Sequence, residues 1–208
     1  TEKIAYIMGA GDEVPASLQH MGYAVTIVKP EEISKEYLQN FDVIIMGIRA
    51  YNTVNELEFK QPILLDLVKE GKTMIVQYNT TGKLVTNNIA PYSLSISRDR
   101  VTEEDAKVTF LAPNHPVLNV PNKITAKDFE NWVQEQGLYY PDKWDAAFTP
   151  IISSHDENES AKNGAILVAP YGKGYYIYTG ISFFRELPAG VSGAYRLLAN
   201  LISLKNAQ

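Results

Sequence analysis

A chain of 208 residues, 45% hydrophobic and 21% charged, is long enough to bury a substantial core and has the make-up of an ordinary globular protein. Its net charge of -5 excludes the electrostatic footprint of a general nucleic-acid or anionic-membrane binder, and its longest apolar runs have strand length, far below the roughly 20 residues a membrane helix needs. With no cysteine, disulfides, thiol catalysis and thiolate metal sites are excluded together.

The first 85 or so residues alternate strand and helix, the pattern of a parallel α/β sheet. A first strand is predicted over 3–8, starting directly from Thr1 with no leader before it, which suggests a domain excised from a longer protein. Asp12 is placed to cap a helix over 13–21, with Pro15 in its first turn and Gly22 at its end. A second strand over 24–28 leads to a helix over 30–40 in which Ile33, Tyr37 and Leu38 share a face. A third strand follows over 42–46. The next helix, over about 54–70, presents Leu57, Ile63 or Leu64, Leu67 and Val68 inward, and Pro62 is a point where it can split. The fourth strand, 73–77, runs into a sharp polar turn at Tyr78-Asn79-Thr80. These strands are nearly all apolar, as expected when helices cover both faces.

The alternation then breaks. Residues 86–146, punctuated by Pro91, Pro113, Pro116, Pro121 and Pro141, read as an insertion within a single domain of 1–208, holding a short strand over 107–111 and a helix over 125–136. Ser97-Arg98-Asp99-Arg100 reads as a compact charged turn, either solvated with Asp99 pairing to its neighbours or reaching over the sheet end to supply a cation to the cleft. Trp132, Tyr139, Tyr140 and Trp144 either pack the insertion onto the core or line a sugar platform. Regular structure resumes with strands over 149–154, 165–170 and 175–180, the last two as a hairpin around Tyr171-Gly172-Lys173-Gly174. A closing helix over 193–204 turns Leu197, Leu198, Leu201 and Ile202 inward.

In an open α/β sheet, ligands bind at the carboxyl ends of the strands. That rule selects Arg49, Tyr51 and Asn52 after the third strand, Tyr78, Asn79 and Thr80 after the fourth, and Arg185 and Glu186 after the last. Guanidinium and amide donors beside aromatic faces suit a hydroxylated ligand. The alternative is an internal ion pair between Arg49 and Glu186, or one involving Arg185. Gly9-Ala10-Gly11 lacks the third glycine of a dinucleotide fingerprint, the position being Val14, and reads as a tight turn with Asp12 as cap. The 79–83 segment lacks the spacing of a nucleotide loop, so no cofactor is expected. His20, His115 and His155 have no zinc-like spacing, no metal is expected, and His115 before Pro116 reads as a turn residue.

The order of elements resembles the class I glutamine amidotransferase-like fold, a flavodoxin-like three-layer α/β/α sandwich with a mostly parallel central sheet and here an insertion after the fourth strand. The resemblance implies a catalytic cysteine at the turn after the fourth strand and a histidine and an acid after the last. Tyr78 or Asn79 stands at the first position, Phe183 or Phe184 at the second, and only Glu186 matches the acid. Hydrolysis of glutamine by that triad is therefore excluded. Within this fold, Asn114-His115-Pro116-Val117-Leu118, Asp128-Phe129-Glu130 and Tyr139-Tyr140-Pro141 resemble trehalose-utilisation (ThuA-like) domains. More fully, GIRAYN (47–52), IVQYNT (75–80), ISRDRVT (96–102), HPVLNVPNKIT (115–125), DFENWVQEQGLYYP (128–141) and GISFFRELPAGVSGAYRL (180–197) resemble the C-terminal domain of bacterial PIG-L (LmbE-like) de-N-acetylase proteins. That resemblance implies an exported protein whose separate N-terminal zinc domain removes acetyl groups from sugars. We expect a non-catalytic module that binds a carbohydrate or docks onto that deacetylase domain. The alternative is a ThuA-like sugar-processing enzyme using Glu186, Arg49 and Tyr78.

Overall fold

The computed structural model describes residues 1–207. In chain order the elements are β1 (Lys3–Ile7), α1 (Val14–His20), β2 (Ala24–Ile27), α2 (Lys35–Leu38), β3 (Val43–Met46), α3 (Ala50–Thr53), α4 (Leu57–Glu70), β4 (Thr73–Val76), β5 (Leu94–Val101), β6 (Thr109–Phe110), β7 (Gly137–Trp144), β8 (Thr149–Pro150), β9 (Ile152–Ser153), β10 (Ile166–Tyr171), β11 (Gly174–Thr179), α5 (Phe183–Glu186) and α6 (Ser192–Ile202). Seven strands form the central sheet in the order β2-β1-β3-β4-β11-β10-β8. The first five of these run parallel; β10 and β8 are antiparallel additions at one edge. This is the parallel α/β sheet expected from the alternation and the flavodoxin-like architecture that the resemblance implies.

Strands β1, β3 and β4 are apolar on both faces because two separate cores cover them. One face carries Ile4, Tyr6, Ile45, Ile75 and Ile177 under α1 and α6; the other carries Ala5, Ile7, Ile44, Met74 and Val76 under α4. The β10–β11 hairpin closes through Gly172 at φ 56, a left-handed conformation that suits glycine. Along α6, Leu197, Leu198, Leu201 and Ile202 are buried as the 3.6-residue period requires.

Four local expectations are corrected. The helix placed over 30–40 is a 3-10 turn (Pro30–Glu32) followed by the short α2, because Ile33 adopts an extended backbone between them. Pro62 does not split α4, which runs unbroken from Leu57 to Glu70; the helical run is instead interrupted earlier, at Val54, in an extended conformation. The helix placed over 125–136 is only a 3-10 turn (Ala126–Phe129). Beyond it Asn131 and Gln134 are left-handed, Val133 N–H donates to Glu186, and Gln134 N–H donates to Glu104. The charged turn 97–100 lies inside β5, which pairs antiparallel with β7 to form a two-stranded arm. Trp132 and Tyr140 are buried among the residues of the α1–α6 core, so these two aromatics pack the inserted segment down. His115 does serve a turn: its Nδ1 accepts the Val117 N–H at 3.2 Å.

Candidate functional site

The carboxyl ends of β1, β3, β4 and β11 meet at one crest of the sheet. Gly9 brings two of the loops together: a Cβ there would lie 2.1 Å from the Ile48 carbonyl oxygen, and Ala10 N–H donates to that oxygen at 2.9 Å. Beneath the crest a polar chain is buried. Gln77 Nε2 donates to the Tyr6 hydroxyl (2.8 Å), the Tyr6 hydroxyl donates to the Asp12 carboxylate (2.8 Å), and Asp12 Oδ1 accepts Val14 N–H (2.8 Å) at the start of α1. The N-cap position of α1 is Glu13, one residue later than expected, and Asp12 instead holds Val14 N–H from just outside the helix; burial raises its carboxyl above the ordinary range.

The eight residues selected from the sequence divide into two groups. Tyr51, Asn52, Asn79 and Thr80 are tied to one another and to the scaffold. Tyr51 is fully buried, its N–H donating to Asn79 Oδ1 (2.9 Å) and its hydroxyl to Gln61 (2.5 Å). Asn79 is also fully buried, its N–H donating to the Tyr178 hydroxyl (3.1 Å). Asn52 Oδ1 accepts Thr80 N–H at 2.8 Å, and its amide donates to the Lys83 carbonyl (3.2 Å). These bonds lock the loop after β3 to the loop after β4.

The second group, Arg49, Tyr78, Arg185 and Glu186, stands around the turn itself. Arg49 follows β3 in a left-handed conformation (φ 57, ψ 23), held by its N–H donating to the Tyr78 carbonyl at 2.8 Å. Its Nε is buried and has no hydrogen-bond partner among the described residues. The Tyr78 ring stacks on Tyr139 of β7, centroids 5.9 Å apart and planes 10° from parallel, and leans on Phe184 at 5.5 Å. Tyr139 is itself left-handed at φ 50, an uncommon state for a bulky residue. Burial raises the Tyr78 phenol above its ordinary range, with Arg49 and Arg185 pulling it partly back. At neutral pH it is a protonated donor rather than a base.

Arg185 covers the Phe184 ring at 4.8 Å and donates from Nε to Glu135 at 2.5 Å. Of the internal ion pairs weighed as the alternative, the one between Arg49 and Glu186 does not form, whereas Arg185 does pair, with Glu135. Glu186 is fully enclosed: Oε1 accepts Val133 N–H (2.6 Å) and Oε2 accepts the Ser182 hydroxyl (2.9 Å). Burial raises its carboxyl despite those two donors. A reaction needing Glu186, Arg49 and Tyr78 to converge on one substrate is not assembled by this geometry.

The charged segment weighed as a source of a cation for the cleft lies beside the crest. Arg98 and Arg100 of β5 flank a depression of about 250 Å³ together with Leu138 and Tyr139. Arg98 Nε reaches Thr81 Oγ1, on the loop after the Tyr78 turn, at 3.5 Å. The strand alternation of Arg98-Asp99-Arg100 was the available signal, since residues two apart share a face.

The fold is a flavodoxin-like α/β architecture of the class I glutamine amidotransferase-like kind, with Tyr78 and Asn79 on the turn that follows its fourth strand. Comparison with solved structures agrees. The chain is similar to the cytoplasmic protein STM3548 of Salmonella typhimurium (TM-score 0.66, 12% identity, 97% of this chain and 98% of that one). It is similar to a GMP synthase-like protein of Thermoplasma acidophilum (TM-score 0.60, 12% identity, 99% and 95%). It also matches a ThuA-like protein of Parabacteroides merdae (TM-score 0.58, 11% identity, 100% and 91%). At such identities the likeness is one of fold. No protein-family model and no curated protein sequence matches the chain.

Proposed function

We propose that this domain is a non-catalytic, amidotransferase-like module that binds a carbohydrate at the crest of its sheet. The observation that supports the reading most is the pair of left-handed residues, Arg49 and Tyr139, on either side of Tyr78. Each conformation costs on the order of 1–3 kcal/mol, and such costs gather where a ligand is gripped. Together they set a guanidinium with an open buried Nε beside stacked aromatic rings. Rings of this kind accept the C–H faces of sugars while guanidinium and phenol groups donate to hydroxyls. Through its resemblance to the C-terminal domain of PIG-L-type proteins, the module would hold a sugar for, or pack against, a deacetylase domain of a longer chain.

The test is a titration of the purified chain with a panel of monosaccharides, followed by calorimetry and by chemical shifts of the crest. Binding without turnover of glutamine or of N-acetylated sugars is expected, and Tyr139→Ala should weaken it at least roughly tenfold, the scale of one aromatic contact. Ammonia or acetate release by the purified chain, or a crest that no sugar perturbs, would refute the reading.

A further inference from the structure

Resting on that carbohydrate reading, we propose that the cleft is specific for an acidic sugar, a single hydroxylated ring bearing a carboxylate or phosphate, which Arg49, Arg98, Arg100 and Arg185 select over neutral and amino sugars.

The chain as a whole carries a net charge of -5, so placing Arg98 and Arg100 around one depression beside Tyr139, and Arg49 and Arg185 around Tyr78, is a local arrangement and not a consequence of composition. Two elements supply it. The crest contributes Arg49 and Arg185, both close enough to Tyr78 to pull its phenol downward. The β5–β7 arm contributes Arg98 and Arg100, which share a cleft with Tyr139, the ring stacked on Tyr78. Between them Asp99 points elsewhere, toward Lys162 at 3.8 Å, so the strand sorts cations to the cleft and the acid away from it.

The negative groups nearby offset only part of this charge. Glu135 pairs with Arg185, and Asp156, kept ionised by the N–H groups of Thr102 and Glu103 and the Thr102 hydroxyl, attracts Arg100. Arg49 and Arg98 make no salt bridge among the described residues. Glu186 is enclosed behind the crest. Guanidinium groups match carboxylate and phosphate through paired N–H bonds, whereas the ammonium of a free amino sugar meets repulsion here. At about 250 Å³ the depression lies below the roughly 300–1,000 Å³ of drug-sized sites, which favours a single ring.

Calorimetry with the whole chain separates the possibilities, using D-glucuronate, glucose 6-phosphate, glucose, glucosamine and inorganic phosphate. An acidic sugar should bind at least roughly tenfold tighter than glucose, with glucosamine weakest, and raised salt should erase most of the difference. Glucuronate against glucose 6-phosphate tells carboxylate from phosphate. The doubly substituted Arg98→Gln/Arg100→Gln chain, checked for an unchanged melting curve since both residues are exposed, should lose most of the acid-over-neutral preference. Glucose binding as tightly as the acids would overturn this inference and leave the carbohydrate reading standing; no sugar binding would overturn both. Inorganic phosphate binding as tightly as the sugar phosphate, or a preference that survives the double substitution, would also overturn it.

Discussion

Burial raises the Glu186 carboxyl, and the surrounding bonds show what the group is for: it ties the Val133 loop and Ser182 to the end of the sheet. The folded chain therefore holds this proton to higher pH than the unfolded chain does. Its contribution to stability is fully present below the ordinary carboxylate range and is lost as pH rises through the raised value; Asp12 acts in the same sense. Glu186→Gln keeps the shape and carries no charge: its carbonyl oxygen accepts Val133 N–H, and its NH2 donates to the Ser182 hydroxyl, whose own proton turns to the Glu135 or Gln136 carbonyl. The melting temperature of Glu186→Gln minus that of the parent should become more positive as pH is raised from 4 to 7. Glu186→Ala strands Val133 N–H, while the Ser182 hydroxyl keeps the Glu135 and Gln136 carbonyls, and should cost about 1–3 kcal/mol across that range. Thermal melts of the three chains at several pH values check this. A difference for the Gln variant that shrinks with rising pH would contradict it. From sequence, Glu186 was visible as a candidate acid, but its partner Val133 lies 53 positions away, and no local pattern reveals such a bond.

At the level of elements, the strands and α6 were legible because their hydrophobic periods are strong, and the failures share a cause. The helix expected over 125–136 has a tolerable helical pattern, yet long-range acceptors capture its N–H groups: Glu186 takes that of Val133, and Glu104 takes that of Gln134. Strand β5 was hidden because its Arg-Asp-Arg alternation, the signature of a strand with two polar faces, also reads as a solvated turn. What fixes the 3-10 turn at Ala126–Phe129 is α6. Arg196 donates to Asp128 Oδ1 at 2.7 Å, and a Cβ at Gly193 would fall 1.6 Å from the Asp128 carbonyl oxygen. Helix propensity alone makes Gly193→Ala stabilising by about 1 kcal/mol. The contact reverses the sign, because the obstacle is backbone and cannot swing aside. We expect Gly193→Ala to lower stability by roughly 1–3 kcal/mol or more. Urea denaturation checks it; a midpoint at or above the parent's would show that α6 can move off the turn without loss.

Across the whole molecule, the amidotransferase-like shape was readable from the chain because strand–helix alternation dictates a parallel sheet, and the sheet dictates where its crest lies. The chemistry of the crest was readable only as an absence. A scaffold does not carry its activity with it, and the geometry makes this testable by restoration. Tyr78→Cys combined with Phe184→His puts thiol and imidazole at one of the two positions the resemblance allows for each, chosen because the alternatives Asn79 and Phe183 are fully buried. The introduced thiol would sit near Arg49 and Arg185, the cations that act on Tyr78, and should ionise below its ordinary range. It should therefore alkylate readily with iodoacetamide at neutral pH. Glutamine should nevertheless release no ammonia above the buffer rate. The orienting acid is missing, since Glu186 is enclosed and committed to Val133 and Ser182. Fast alkylation without hydrolysis would locate the loss of function in the third member of the triad, the acid. Appreciable glutaminase from this double variant would show instead that the missing sulfur and imidazole were the whole difference.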